Sequence, residues 1–224
     1  MNMGKVIAAI LVLFVGGLAH ADPLSPVLFI GDSHSAGPFG AELERLLEVK
    51  GIAVNRTACV GASTTTFLKG GSLCKSGSVI DGKVADYKAP TIGELLSKAH
   101  PSTVIVALGS NMYEYLGWTS KERAATTREL VDSIRAAGAA CVWVGPKYGP
   151  SSTFEEAGQV LSDITQGVAG ECEVIDSRPL AEFNWCGDKV CCCDVNPHYN
   201  AHGPEGIAAA KKWALNVAGK LGLE

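Results

Sequence analysis

The stretch "FIGDSHSAGPFG", residues 29–40, sets Asp32, Ser33 and His34 in consecutive positions directly after a short apolar run. A serine in such a turn becomes a nucleophile when an imidazole takes its proton and a carboxylate fixes that imidazole's tautomer. The tetrahedral intermediate of acyl transfer also needs donors aimed at its oxyanion. The chain holds candidates for each part. Ser33 can attack, and its own backbone N–H can be one donor. Gly61, in "CVGAST", lets a second backbone N–H approach with no side chain in the way, and the Asn111 amide, in "ALGSNM", offers a third donor.

The base and its orienting acid are sought near the C terminus, in "DVNPHYNAHGPEG". His198 has Asp194 four positions before it and is the favoured base. His202 stands closer to the following helix without an acid at matching spacing, and is the alternative. His34 adjoins the nucleophile and is read as pointing away from it. His100, before Pro101, is read as a surface residue at the opposite edge of the sheet. Asp32 is expected to bond to the backbone of its own turn. Tyr113, Tyr115 and Trp118 are read either as lining an acyl or sugar pocket or as simple packing, while Trp143 and Trp213 are read as core.

These residues need a scaffold, and strands alternate with helical patterns along the chain. "VLFI" (27–30), "IAVNRTA" (52–58), "TVIVALG" (103–109), "ACVWVG" (140–145) and "CEVID" (172–176) read as strands. "TVIVALG" is apolar throughout, as in a parallel strand buried on both faces. A helix is expected from Pro38, closed by Gly51. Two more begin at the capping-box pairs Thr91/Glu94 and Thr119/Glu122, another covers 154–169, and the last starts near Pro204. Residues 61–90 read as a long loop with little regular structure. The alternation predicts a parallel sheet with helices on both faces, with Ser33, Gly61 and Asn111 beyond the carboxyl ends of the first three strands.

The N terminus addresses the compartment. Lys5 is the only charged side chain before Asp22, the 14 apolar residues "VIAAILVLFVGGLA" follow it, and Ala19-His20-Ala21 forms a small-x-small site. This is the build of a signal peptide spanning 1–21 and cleaved after Ala21, leaving a single domain at 22–224. The apolar run is short for a membrane span, and no later segment is apolar enough for one, so no integral membrane segment is expected after cleavage. Cleavage removes one Lys and no acid, moving the formal charge from −4 to −5. A mildly acidic chain without a Lys/Arg cluster argues against nucleic acid or anionic lipid as partner.

All eight cysteines follow the cleavage site, and export makes disulfides the default. Cys59 with Cys74, and Cys186 with one of Cys191, Cys192 and Cys193, are the leading pairs, while Cys141, inside an apolar strand, is read as a free buried thiol. A metal or redox site built from Cys186, the cysteine trio, His198 and His202 is the alternative. It is disfavoured because three adjacent cysteines cannot all turn to one ion without strain.

The blocks "GDSHS", "VGAS", "ALGSN" and "DVNPHYNAHGPEG", in this order over residues 27 to about 215, resemble the SGNH (GDSL-like) hydrolases, a family named for separated Ser, Gly, Asn and His residues. The resemblance implies a flavodoxin-like three-layer α/β/α sandwich with a mostly five-stranded parallel sheet. It also implies a serine esterase with catalytic Ser33, Asp194 and His198 and an oxyanion hole of Ser33, Gly61 and Asn111. No cofactor or metal enters this mechanism, and the expected partner is a small ester or acylated carbohydrate. Two departures stand out. Met112 occupies the place of the family's Asp after the Asn, and the family's Asp-x-x-His spacing is absent. The G-x-S-x-G elbow is missing as well, which argues against an α/β-hydrolase fold. Short acyl groups such as O-acetyl on a carbohydrate are the favoured substrate. An acyltransferase with the same triad and a non-catalytic glycan-binding module are the rivals.

Overall fold

The computed structural model describes residues 24–75, 77–148, 153–181, 185–186, 189–190 and 204–223. The expected signal peptide (1–21), Asp194, His198, His202, and Cys191, Cys192 and Cys193 lie outside the described residues.

The chain opens with β1 (Val27–Gly31), α1 (Ser33–Ala36), α2 (Pro38–Val49) and β2 (Val54–Ala58). There follow α3 (Thr64–Lys69) and four two-residue strands, β3 (Leu73–Cys74), β4 (Val79–Ile80), β5 (Lys83–Val84) and β6 (Tyr87–Lys88). Next come α4 (Ile92–Ala99), β7 (Thr103–Ala107), a 3-10 turn at Glu114–Leu116, α5 (Ser120–Ala136) and β8 (Ala140–Val144). The chain continues through α6 (Phe154–Val168), β9 (Glu173–Ile175), the pair β10 (Trp185–Cys186) and β11 (Lys189–Val190), and α7 (Pro204–Lys220).

The main sheet runs β5-β4-β2-β1-β7-β8-β9. From β2 to β9 its five strands are parallel, as the alternation predicts, and β4 and β5 add an antiparallel hairpin at one edge. Side-chain alternation divides the core between two faces. Leu28, Ile30, Val104, Val106 and Trp143 pack under α3 to α6, while Val27, Phe29, Ile105, Val142 and Val144 pack under α2 and α7. The outcome is the expected three-layer α/β/α sandwich. Both predicted capping boxes form, and a third, Thr153/Glu156, opens α6.

Two expectations are corrected. Residues 61–90 are not a featureless loop: they hold α3 and β3 to β6. Helix α3 is capped by a Ser63/Thr66 box, in which a threonine serves where Glu or Gln is usual. Its neighbouring strands are too short for alternation to register. Cys141 is not a free thiol. Neighbouring parallel strands β8 and β9 pair Val142 with Glu173, which sets Cys141 beside Cys172 with their Cα atoms 4.6 Å apart, and the two are disulfide-bonded. Cys59 and Cys74 form the second disulfide, as expected.

The junction between β1 and α1 leaves almost no room. Asp32 is the single residue between them, and its carboxylate accepts from the His34 N–H at 2.9 Å, capping α1. The helix therefore turns back hard against the strand. A Cβ on Gly31 would stand 2.0 Å from Ser35 Oγ and 3.0 Å from the Ala107 carbonyl oxygen, so Gly31 serves here by close approach.

Two outcomes follow. Gly31→Ala is expected to destabilise the protein by about 1–3 kcal/mol through overpacking of a buried turn, measured by denaturant unfolding; an unchanged midpoint contradicts the packing described. Digestion without reduction is expected to release linked peptides joining Cys59 to Cys74 and Cys141 to Cys172. Alkylation of Cys141 in unreduced protein contradicts the second link.

Candidate active site

β1 lies between β2 and β7, and successive strands of a sheet stand about 4.8 Å apart. Gly31 is in register with both Ala58 and Ala107, so the three chains leave the sheet at one level. The chain passes from β1 to β2 on one side and returns to β7 on the other. This is the topological switch point at which open α/β sheets bind ligands. Ser33, Gly61 and Asn111 sit on the loops that emerge there.

Ser33 is half-buried and is the first residue of α1, where the N–H has no intrahelical acceptor and faces outward from the helix start. The far end of this short helix is clamped by Arg56 from β2. Buried Arg56 donates to the Ser35 carbonyl at 2.7 Å and pairs with Glu44 of α2 at 2.8 Å. Sequence reading missed Arg56, whose sole signal was a charged residue inside an otherwise strand-like run.

The Gly61 turn closes with the Ala62 N–H donating to the Cys59 carbonyl at 2.9 Å. Gly61 has φ +81°, in the left-handed region, and a Cβ there would meet nothing within 4 Å. Conformation rather than space calls for glycine. The Cys59–Cys74 disulfide anchors the base of the turn, and Ser78 Oγ accepts from the Val60 N–H at 3.0 Å. Asn111 is half-buried, and its Nδ2 donates to the Ala62 carbonyl at 3.0 Å. The Asn amide is thereby held against the glycine turn.

The loop after Asn111 is held from beneath. Met112 is fully buried in the core, which accounts for an apolar side chain in the place of the family's Asp. Buried Arg123 donates to the carbonyls of Met112 (3.1 Å) and Trp118 (3.0 Å) and pairs with buried Asp163. Tyr113 is core as well: its hydroxyl donates to the Lys147 carbonyl at 3.1 Å, and its ring stacks on Tyr115 at 5.6 Å. Tyr115 is exposed, and Trp118 lines a groove between α3 and α5.

His34 is buried and packs edge-to-face on Trp213 of α7 at 5.8 Å. Trp143 and Trp213 are core, as expected. His100 caps α4 on the surface, at the other end of the strands. Among the described residues the strand ends thus bring together the loops of Ser33, Gly61 and Asn111, while the sequence-predicted Asp194, His198 and His202 fall outside the described residues.

Asp32, next to Ser33 in the chain, and Lys147, just beyond β8, are both buried. Burial pushes the Asp32 carboxyl up to about 7, opposed by the His34 amide, the Lys147 charge, the Ser35 amide and the Ser110 hydroxyl. Burial likewise pulls the Lys147 ammonium down to about 7, opposed by the Asp32 charge. Nothing in the sequence pointed to Lys147, which the fold buries just beyond β8.

No family model matches the chain, and no curated protein matches it in sequence. Solved structures do match. TesA superposes with a TM-score of 0.60 at 16% identity, over 89% of this chain and 100% of that one. A catalytic mutant of Axe2, an acetylxylan esterase from Geobacillus stearothermophilus, gives 0.58 at 15% identity, over 89% and 95%. A lipase/acylhydrolase from Enterococcus faecalis gives 0.52 at 15%, over 88% and 96%. With the serine, glycine and asparagine loops at three adjacent strand ends, the chain has the α/β/α fold of the SGNH hydrolases.

Proposed function

We propose that the protein is an exported serine esterase of the SGNH type that cleaves short-acyl carboxylic esters, O-acetyl groups on a carbohydrate above all. The observation that carries this reading is the meeting of Ser33, Gly61 and Asn111 at three adjacent strand ends, with the Asn111 amide bonded into the glycine turn. Ester hydrolysis needs that grouping, whereas a polar turn between a strand and a helix does not.

In the proposed reaction His198, oriented by Asp194, takes the Ser33 hydroxyl proton as Oγ attacks the ester carbonyl carbon. The oxyanion is met by the Ser33 N–H, the Gly61 N–H and the Asn111 amide. Collapse breaks the C–O bond, and the imidazolium returns the proton to the departing alcohol. A water then repeats the sequence on the acyl-enzyme and frees the acid. Asn111 is already oriented by Ala62, so little reorganisation is left for the transition state.

The carbohydrate preference is supported by the α3/α5 groove of about 380 Å³, lined by Thr65, Lys69, Trp118, Glu122 and Thr126 among others. An indole among hydroxyls and charges suits a sugar ring better than a long acyl chain. Both walls begin close in sequence to the site: α3 starts three residues after Gly61, and Trp118 lies seven residues after Asn111. The acetylxylan esterase among the structural matches fits the same class. Export is supported by the expected signal peptide and by the two disulfides.

Initial rates on a small aryl acetate test the chemistry. Ser33→Ala is expected to lose several orders of magnitude, and Asn111→Ala about 10²–10³-fold in kcat with KM little changed. His198→Ala should match Ser33→Ala, Asp194→Asn should cost less, and His202→Ala should cost little. An inactive His202→Ala beside an active His198→Ala makes His202 the base, and Ser33→Ala within about tenfold of the parent overturns the reading. For the groove, Trp118→Ala is expected to raise KM roughly tenfold on an acetylated oligosaccharide while leaving the aryl acetate unaffected. Equal effects on the two substrates contradict the sugar assignment.

A further inference from the structure

Arg123 stands in the first turn of α5 and is only 3% exposed. Helix physics alone makes that a poor place for a cation, because the first turn carries the positive end of the helix dipole. Its charge is met from the next helix. Nε donates to Asp163 of α6, itself 4% exposed, and Asp163 also accepts from the Gln159 amide at 2.9 Å. The other guanidinium nitrogens serve the segment between β7 and α5. Nη1 donates to the Met112 carbonyl at 3.1 Å and to the Trp118 carbonyl at 3.0 Å, and Nη2 donates to Ser120 Oγ at 3.0 Å.

The two carbonyls bracket the loop. Met112 directly follows Asn111, and its N–H donates to the Gly109 carbonyl at 3.0 Å, so Asn111 lies inside a turn closed by its neighbour. Trp118, at the other end, lines the α3/α5 groove. Packing holds Met112 and Tyr113, but the 3-10 turn that follows leaves Tyr115 and Leu116 exposed and does little to fix the path to Trp118. One planar group thus sets the relation between the two ends of the loop. A lysine ammonium could replace the charge but not the fork, since Arg holds its donors in a fixed plane.

We propose that Arg123 is a positioning residue for both halves of the site: anchored on Asp163, its guanidinium ties the Met112 and Trp118 carbonyls together, and so holds the Asn111 amide at the oxyanion and the Trp118 indole at the sugar groove in one fixed relation. The buried guanidinium touches neither ester nor sugar and acts through those two residues. Asn111 is then gripped from both sides, by Arg123 through Met112 and by the Ala62 carbonyl on its own amide. This inference rests on the assignment of Asn111 as an oxyanion donor and of the α3/α5 groove as the sugar site.

The test uses Arg123→Lys, which keeps a charge for Asp163 without the fork, and Arg123→Met/Asp163→Leu, which removes both charges together. Exchanging a whole buried pair for apolar groups is commonly tolerated, so the double variant is expected to fold. On an aryl acetate both are expected to lower kcat about tenfold with KM unchanged, because a displaced amide weakens transition-state binding alone. On an acetylated oligosaccharide KM should rise roughly fivefold as well. In an Asn111→Ala background the same substitutions should change kcat less than about twofold, and in a Trp118→Ala background the further rise in KM should vanish. A general structural loss would lower kcat by the same factor in every background, and such additivity overturns the proposal. Amide hydrogen exchange gives a readout that needs no activity. The Met112, Leu116 and Gly117 N–H groups are bonded within the loop. Their exchange is expected to quicken about tenfold in both variants, while the Leu130, Val131 and Ile134 amides of α5 keep the parent rate. Unchanged loop exchange, or quickening throughout α5, overturns the proposal. A parent inactive on every ester, with quickening confined to the loop in the variants, removes the esterase reading and leaves the clamp standing.

Discussion

Helix α1, which opens with Ser33, begins one residue beyond the central strand, and the arrangement around it depends on how little room that leaves. Gly31 allows Ser35 to fold back on the strand end, and Asp32 caps the turn from the single intervening position. Because β1 has β2 on one side and β7 on the other in matching register, whatever follows Gly31 is flanked by whatever follows Ala58 and Ala107. The glycine turn and the asparagine loop are then neighbours of Ser33 by sheet topology, and the Asn111 to Ala62 hydrogen bond fixes their separation.

Such loops would be soft if only their own backbones held them. Each is instead tied down by a buried or part-buried polar group from a different element. Arg56 reaches α1 from β2, Arg123 reaches the Asn111 loop from α5, and Ser78 Oγ holds the Val60 N–H at the glycine turn. Buried charges of this kind add little net stability when paired and are costly when a partner is removed. Their clustering under one set of loops fits a requirement for fixed geometry at the strand ends. The Cys59–Cys74 disulfide adds a covalent constraint below the glycine turn.

The parts of this arrangement that follow local rules were legible in the sequence. β1, β7 and β8 are buried on both faces, so their apolar runs marked them, and the Thr/Glu capping boxes located the starts of α4 and α5. Asp32 as the cap of its own turn was read correctly. Cross-strand relations were not legible. Cys141 looked like a core thiol because nothing local tells that β9 lies beside β8, and nothing local marked Lys147 as a residue the fold would bury. Residues 61–90 failed for a different reason. Strands of two residues give no alternation to count, and a Ser/Thr capping box lacks the usual acidic mark. Among the aromatics after Asn111, composition left pocket and packing equally open. Burial divides them, with Tyr113 in the core and Trp118 on the groove.

The claim at the centre of this account is that Ser33, alone among the serines, is activated by its surroundings. Reaction of the folded protein with a fluorophosphonate, followed by peptide mass spectrometry, tests it directly. The account predicts one adduct per chain, on the peptide carrying Ser33, and none after prior denaturation. A folded protein that stays unlabelled, or one labelled at a different serine, would contradict it.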